Sequence, residues 1–381
     1  MKTLADFDWR GKIAIIRADL NVPQTANGEI ADDTRLVAAS GSVRTILNGG
    51  GGVVLLSHLG RPQEGKIEKE FSLESIVPAF SLLLQHPIRF APTLENAGPA
   101  VGEVLLLENT RFNVGEKNDD GNLARRYAAL GDIFVMDAFA SAHRAEASVT
   151  GLARCGLPVC AGGLVEAELN GLTRIVGQIE RPLVGIFGGA KISTKLAVLQ
   201  HMAELCDTLL IGGGMANTLL LAQGYNVGAS LVQEDMQAEA QAVLSATQGR
   251  LVLPQDVVVQ TADGTAGQQC TLEQINRGDV ILDIGSASWQ HYSAIIKQAK
   301  TILWNGPVGL FEQEPYAAGT NAIAHAVATA PAYSLVGGAD TIAAVRAAEV
   351  TEQINYISTG GGALLEYLAG KTLPGLVALG A

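Results

Sequence analysis

The sequence predicts an α/β protein whose parallel sheets are covered by helices on both faces, and three observations carry that prediction. Short apolar runs rich in β-branched residues and leucine recur along the chain, each ending in glycine or a polar cluster. Amphipathic, alanine-rich stretches follow them. Unbroken apolar strands that take turns with helical stretches belong to parallel sheets buried on both sides. The third observation is length: 381 residues suit two domains at roughly 100 to 200 residues each, with one large barrel as the alternative.

In the first half the strand candidates are KIAIIRADLN from Lys12, GVVLLSHLG from Gly52, VLLLENTRF from Val104 and IFVMDAFA from Ile133. In the second half they are RPLVGIFGGAK from Arg181, TLLIGGG from Thr208, ILWNGPVG from Ile302, YSLVGGADT from Tyr333 and INYISTGGG from Ile354. Between the halves, CAGGLVEAELNGLTRIVGQIE from Cys160 reads as one helix before Arg181-Pro182 and a new strand. A helix there is a stiff connector and the best domain boundary. The final KTLPGLVALGA is too short to be a unit and has to dock elsewhere. Gly49 to Gly52 reads as a loop, because no helix start follows it.

Composition narrows the class. Glycine supplies 44 of 381 residues, against an ordinary usage of about 7%. With 48% hydrophobic residues, 13 prolines and no Gly-X-Y period, collagen-like and disordered chains are excluded. A net charge of −12 without any basic block argues against a nucleic-acid partner. Cys155, Cys160, Cys206 and Cys270 lack CxxC spacing and read as reduced, buried thiols of an intracellular protein. The six histidines show no zinc-binding spacing. The N-terminus carries Asp6 and Asp8 with no apolar leader behind them, and no apolar run reaches a membrane-spanning length. The expectation is a soluble cytoplasmic protein. Eleven of the sixteen arginines fall in the first 165 residues, which fits a small anion held by that half.

Open α/β sheets bind ligands at the carboxyl ends of their strands, and the two halves differ there. Second-half strands end in glycines: Gly188-Gly189, Gly212 to Gly214, Gly337-Gly338 and Gly360 to Gly362. Phe187 to Lys195 is expected to enter a helix with Lys191 and Lys195 four apart on one face, an anion site of the phosphate-binding kind without a Walker A loop. A solvated lysine pair is the alternative. Asp340-Thr341 fits either an N-cap pair or a carboxylate that holds magnesium beside a nucleotide. Thr359 reads as an N-cap before three glycines that either cradle a phosphoryl group or simply start a helix. First-half strands end instead in Arg17-Ala18-Asp19-Leu20-Asn21, Ser57-His58-Leu59-Gly60-Arg61, Asn109-Thr110-Arg111 and Ala142-His143-Arg144, with Asp33-Thr34-Arg35 before a helix. Any one of these is ordinarily a salt-bridge or core residue. Five at equivalent places point to a site.

RADLNVP at Arg17, DDTR ending at Arg35, SHLGRP at Ser57, LLLENTRF at Leu105, DAFASAHRA at Asp137, FGGAKISTKL at Phe187, LIGGGMANT at Leu210, ILWNGPVGLFE at Ile302, GGADTIAA at Gly337 and ISTGGGALLEYLAGK at Ile357 lie in order and nearly end to end. Together they resemble the phosphoglycerate kinase family. The resemblance implies two doubly wound, Rossmann-like domains joined by a helix and hinge. Residues 1–165 would bind phosphoglycerate, with 364–381 docking back on them, and 166–363 would bind magnesium nucleotide. It implies reversible transfer of the acyl phosphate of 1,3-bisphosphoglycerate to ADP, giving ATP and 3-phosphoglycerate, in glycolysis and gluconeogenesis. Mg2+ would enter as Mg-ATP or Mg-ADP, and the protein would be a monomer with no nucleic-acid or membrane partner.

By the same resemblance, Asp19, Asn21, Arg35, His58, Arg61, Arg111 and Arg144 would bind the acid substrate, with Arg35 approaching the transferring group. Gly189, Lys191 and Lys195 would face the nucleotide phosphates, and Asn305, Gly338 and Thr341 would lie beside them. Asp340 would hold magnesium, Glu312 the ribose, and Gly285 would lie at the adenine. Gly360, Gly361 and Gly362 would join Arg35 and Lys195 at the reaction centre. Such a reaction needs no general base, since a carboxylate of pKa near 4 is already ionised at neutral pH. It needs positioning and charge stabilisation, the work of arginine, lysine, magnesium and backbone N–H groups. The domains are expected to close, with Glu166 to Gln178 and the C-terminal segment as hinge candidates. Thr194, Ala339, Ala140 and the Ser286-Ala287-Ser288 run depart from the commoner family pattern without removing an assigned charge. A different phosphotransferase of the same architecture would alter the arginine set. A binding protein descended from the enzyme would lose Lys195, Arg35 or the glycine loop. A dinucleotide oxidoreductase lacks its GxGxxG.

Overall fold

The apolar runs form two six-stranded sheets in a computed structural model that describes residues 1–25 and 27–380. The chain divides into two compact units, Met1–Leu169 with Thr372–Ala381, and Asn170–Lys371. In the first unit β1 (Ile13–Ala18), β2 (Gly52–Leu56), β3 (Ile88–Ala91), β4 (Val104–Leu107), β5 (Ile133–Asp137) and β6 (Val159–Ala161) run parallel in the order β3-β4-β2-β1-β5-β6. Its helices are α1 (Thr34–Asn48), α2 (Val77–Leu84) and α3 (Gly121–Ala128), and α4 (Gly163–Val176) runs from this unit into the second. Ile15 and Ile16 are adjacent on β1 and both wholly buried. Neighbouring strand residues face opposite sides, so both faces of this sheet are covered.

The second unit repeats the plan. Its elements are β7 (Leu183–Phe187), α5 (Leu196–Leu205), β8 (Thr208–Ile211), α6 (Gly213–Ala222), α7 (Gln237–Ala246), β9 (Leu251–Val252), β10 (Asp256–Gln260), β11 (Gln268–Thr271) and β12 (Val280–Ile284). After these come α8 (Ser286–Ile296), β13 (Thr301–Asn305), α9 (Ala318–Thr329), β14 (Tyr333–Gly337), α10 (Ala339–Ala347), β15 (Tyr356–Ser358) and α11 (Gly361–Leu368). The parallel order is β15-β14-β13-β7-β8-β9. In both sheets the chain first builds outward from one side of its first strand and later returns to the other side. The reversal falls between β1 and β5, and between β7 and β13. A crevice opens at the carboxyl ends of such a strand pair.

Three features depart from the sequence expectation. An antiparallel sheet, β11-β10-β12, stands apart from the parallel one. Its edge strand Gln268–Thr271 is polar and largely exposed, so no apolar run announces it. The short β6 and β9, and β3 with its Arg89, escaped notice for the same reason. The units also meet at 169/170 and 371/372 rather than at 165/166 and 363/364. Residues 364–371 stay with the second unit because Leu364 and Leu368 of α11 are buried, α11 packs on α5, and Gly370 lies against His201. The segment that joins the first unit begins at Thr372. There α12 (Pro374–Val377) buries Leu376, and the Gly375 N–H donates to the Ala142 carbonyl at 2.8 Å. No helix among the described residues is long and apolar enough to cross a membrane.

Asp137 closes β5 and starts α4. Its Oδ1 accepts the N–H groups of Leu164 at 2.8 Å and Val165 at 3.4 Å, an N-terminal cap supplied from the sheet. Its Oδ2 is buried without a partner, and burial pushes the carboxyl pKa from 3.8 up to about 7. With the folded value raised, the native state holds a proton that the unfolded chain has lost between those two values, so stability falls as pH rises through that window. Asp137→Asn keeps the acceptor and removes the titration. It is expected to flatten the pH dependence of the first unit's stability by up to about 1.4 kcal/mol per pH unit, read from urea unfolding at several pH values between the two carboxyl values, 3.8 and about 7. An unchanged slope would show that Asp137 is not the group responsible.

Candidate active site

In the first unit the strand ends gather guanidinium groups around one carboxylate. Arg17, from the interior of β1, is wholly buried. Its Nε donates to Ser148 Oγ at 2.9 Å, Nη1 to the Ala18 carbonyl at 2.8 Å, and Nη2 to His58 Nδ1 at 3.2 Å. Glu146 receives three arginines: Arg17 at 3.5 Å, Arg111 at 3.2 Å and Arg144 at 3.6 Å. Arg111 also donates to the Gly60 carbonyl, and Arg35 lies on Asp19 at 2.5 Å. Asn21 Oδ1 accepts the Gly60 N–H at 2.8 Å, which fixes the loop after β2 against the loop after β1. Arg61 is exposed.

This cluster has more donors than acceptors. Arg111 Nε and His143 Nδ1 are buried with no protein partner. Arg144 Nε points at His143 Nε2 at 3.2 Å. Arginine only donates, so the donor geometry assigns His143 its proton on Nδ1, the unpartnered atom, and assigns His58 its proton on Nε2. Burial, then the charges of Arg17, Arg144 and Arg35, hold the His58 pKa well below 6.5, so its imidazole is neutral. Behind Arg17, the Ser148 hydroxyl donates to buried Glu116, whose carboxyl burial pushes up to about 7. Unsatisfied buried donors cost about 1–3 kcal/mol each, and an anion with several oxygens satisfies them together.

In the second unit the reversal between β7 and β13 is bridged by one ammonium. Lys195 Nζ donates to the Gly188 carbonyl at 2.7 Å and to the Asn305 carbonyl at 2.8 Å. Burial lowers its pKa from 10.5 to about 8, opposed by the charge of Asp340. A cavity of about 230 Å³ opens beside it, lined by Gly189, Lys191, Thr194, Lys195, Gly306 and Asp340. An adjoining cleft of about 240 Å³ is walled by Leu231, Val257, Ile284, Val308, Leu310 and Glu312. Charge collects in one compartment and apolar surface in the next, the division that a nucleotide's phosphates and base require. Gly189, at φ +112°, leaves its backbone open to the cavity; a Cβ there would meet only Lys195 Nζ, at 3.7 Å.

Several expectations need correction. Lys191 and Lys195 do not share a helical face, because a 3-10 turn over Ile192–Thr194 separates them and α5 begins only at Leu196. Most of the strand-end glycines serve the packing of loops on one another: a Cβ on Gly188 would come within 1.9 Å of the Pro307 carbonyl oxygen, and one on Gly214 within 2.4 Å of the Ala190 oxygen. Gly285 follows Ile284 of the cleft wall, and a Cβ there would strike the Asp256 carboxylate, which bonds the first N–H groups of α8. Gly338, not Asp340, is the N-cap of α10 and carries the positive φ, so Ala339 sits unstrained in the helix. Likewise Gly360, not Thr359, caps α11, with Gly361 and Gly362 exposed in its first turn. Thr341 and Asn305 face inward: the Thr341 hydroxyl accepts the Gly306 N–H, and Asn305 Nδ2 donates to the Gly337 carbonyl.

Sequence reasoning left Arg17, Glu146, His143 and Ser148 out of the site. Arg17 and His143 stood in the quoted strand-end runs; Glu146 and Ser148 carried no spacing signal and are found only through the fold. Among the described residues no three His, Cys, Asp or Glu side chains converge to hold a metal ion. Asp340 alone offers an exposed carboxylate on the cavity, which fits magnesium, an ion that takes one or two carboxylates with phosphate oxygens.

Two outcomes follow. Nucleotide affinity is expected to weaken by up to about tenfold per pH unit above about pH 8 as Lys195 loses its proton, measurable by calorimetry, whereas a flat profile would remove the ammonium from nucleotide binding. Gly188→Ala should destabilise the second unit by roughly 1–3 kcal/mol and weaken nucleotide binding, read from urea unfolding and the same titration.

Comparison with known proteins agrees in scope with this geometry. The phosphoglycerate kinase family model matches residues 4–371. A phosphoglycerate kinase of Herpetosiphon aurantiacus is 46% identical over 99% of this chain and 98% of its own length, and one of Desulfovibrio desulfuricans is 45% identical over the same shares. The solved phosphoglycerate kinase of Coxiella burnetii superposes with a TM-score of 0.93 at 41% identity, covering 100% of this chain and 98% of its own. That of Pyrococcus horikoshii gives 0.86 at 32%, with the same coverage. A family match over nearly the whole length, joined to two doubly wound sheets with an arginine cluster on one and a lysine-bearing glycine cleft on the other, means that the chain belongs to the phosphoglycerate kinase family.

Proposed function

We propose that the arginine cluster of the first unit holds 3-phosphoglycerate or 1,3-bisphosphoglycerate and that the glycine cleft of the second holds the magnesium nucleotide. The activity is the glycolytic one: reversible transfer of the acyl phosphate of 1,3-bisphosphoglycerate to ADP, yielding ATP and 3-phosphoglycerate. The observation that carries the residue assignment is the surplus of buried donors around Arg111 and His143 in a cluster of guanidinium groups, a setting that suits an anion with several oxygens.

In this reading Asp19, Asn21, His58, Arg61, Arg111 and Arg144 bind the acid. Neutral His58 donates through Nε2 and adds no charge to a cluster already cationic. Besides contributing to the acid subsite, Asp19 holds the Arg35 guanidinium on one side, leaving its other N–H groups for the transferring phosphoryl oxygens. Lys195 supplies a positive charge fixed by two carbonyls, and Lys191 and Gly189 border the same phosphates. The exposed N–H groups of Gly361 and Gly362, at the start of α11, favour negative charge there, with Gly360 closing the turn. Glu312 faces the ribose, and the apolar cleft takes the base. Gly285, Asn305, Gly338 and Thr341 act one step back by holding the strand ends in place. Asp340 would hold magnesium, which when bound neutralises phosphate charge and orients the terminal phosphoryl group. The acceptor oxygen is ionised already, so the protein's task is alignment and charge stabilisation. A soluble cytoplasmic monomer acting on small molecules fits these features.

With ADP, magnesium and 1,3-bisphosphoglycerate the purified protein is expected to form ATP, and Lys195→Ala to lose most of that activity. No ATP from the wild type overturns the reading. Arg35→Ala is expected to lower kcat by about 10²–10³-fold while KM for 3-phosphoglycerate moves far less. A rise in KM with kcat intact would instead make Arg35 a ground-state binding group.

A further inference from the structure

We infer that Glu146 is a positioning residue of the acid subsite: its single buried carboxylate holds Arg17, Arg111 and Arg144 together and sets how tightly the subsite takes an anion. The inference rests on the reading of this cluster as the acid subsite. Glu146 is 4% exposed, Arg17 wholly buried and Arg111 4% exposed. Guanidinium groups so deep need a counter-charge, and for these two Glu146 is the carboxylate within 3.5 Å. Asp19 is committed to Arg35. Glu116 lies behind Ser148 with its carboxyl pushed toward the protonated form by burial.

The backbone fixes Glu146 as firmly as its side chain does. Its carbonyl accepts the N–H groups of Val149 and Gly151 and the hydroxyl of Thr150. The carboxylate therefore starts from a rigid turn, the π-helical Ala147–Gly151. From there Oε1 meets Arg111 and Arg144 while Oε2 meets Arg17. Substrate oxygens must share Arg111 and Arg144 with this resident carboxylate. Glu146 thus orders the guanidinium groups before substrate arrives and offsets part of their charge, so that an anion is bound without being held too tightly to leave.

The test is Glu146→Gln, which keeps the shape and removes the charge, with Glu146→Asp as the partner that keeps the charge on a shorter arm. Sulfate binding to the full chain is measured by calorimetry, with 3-phosphoglycerate as competitor. In the glutamine variant sulfate is expected to bind about tenfold more tightly, kcat and KM for 3-phosphoglycerate to fall together, and nucleotide affinity to stay unchanged. In the aspartate variant sulfate affinity should stay within about twofold of wild type. A purely structural role predicts the opposite sign, weaker sulfate binding in both variants, and that result overturns the inference, as does unchanged sulfate binding in Glu146→Gln. If the glutamine variant unfolds in anion-free buffer, sulfate must restore it, because the anion replaces the missing counter-charge; failure to restore it also overturns the inference. Wild-type sulfate binding that 3-phosphoglycerate does not displace would overturn the acid-subsite reading itself, an outcome distinct from a failure of Glu146 alone.

Discussion

Everything chemical in this molecule depends on where two parallel sheets reverse their winding. Parallel strands all end on one side, and the loops leaving two neighbouring strands in opposite directions cannot cover the crevice between them. At β1 and β5 that crevice is filled by side chains: Arg17 runs from one strand to Ser148 and Glu146 beyond the other. At β7 and β13 it is filled by a single lysine that joins the two strand ends through their carbonyls. The same topology has met the same geometric problem with two chemistries.

The difference between them is electrostatic. In the first unit charges are buried in number, which is tolerable only because Glu146 offsets them and His58 stays neutral. In the second unit few charges are buried, and the strand-end loops approach one another backbone to backbone, as Gly188 against Pro307 and Gly214 against Ala190 require. An anion entering the first unit meets an ordered set of cations. One entering the second meets a tight weave of peptide groups with one ammonium beside it.

How much of this was legible beforehand follows from what leaves a trace in sequence. Unbroken apolar runs made the nine main parallel strands visible, and the connector helix showed through its composition. The polar edge strand Gln268–Thr271 left none, because strand pairing there depends on backbone alone. Arginines at strand ends marked the cluster proposed as the acid subsite, yet the carboxylate that organises them, Glu146, has no periodicity or motif to mark it. The glycines pointed to the cavity proposed as the nucleotide subsite for a partly mistaken reason. Gly189 does face the cavity, but Gly188, Gly212 and Gly214 are small so that loops can touch. Lys191 and Lys195 were placed on one helix because spacing says nothing about whether a turn is α or 3-10.

Lys195 carries one further consequence. An ammonium has three N–H directions, and the fold consumes two of them on Gly188 and Asn305. One direction is left over. The residue can therefore greet a phosphate oxygen without releasing either strand end, so that occupancy of the cavity and integrity of the sheet are linked by three bonds to a single nitrogen. In the proposed complex ligand and scaffold would share an atom there, and bound phosphate would tune the stiffness of the seam between β7 and β13.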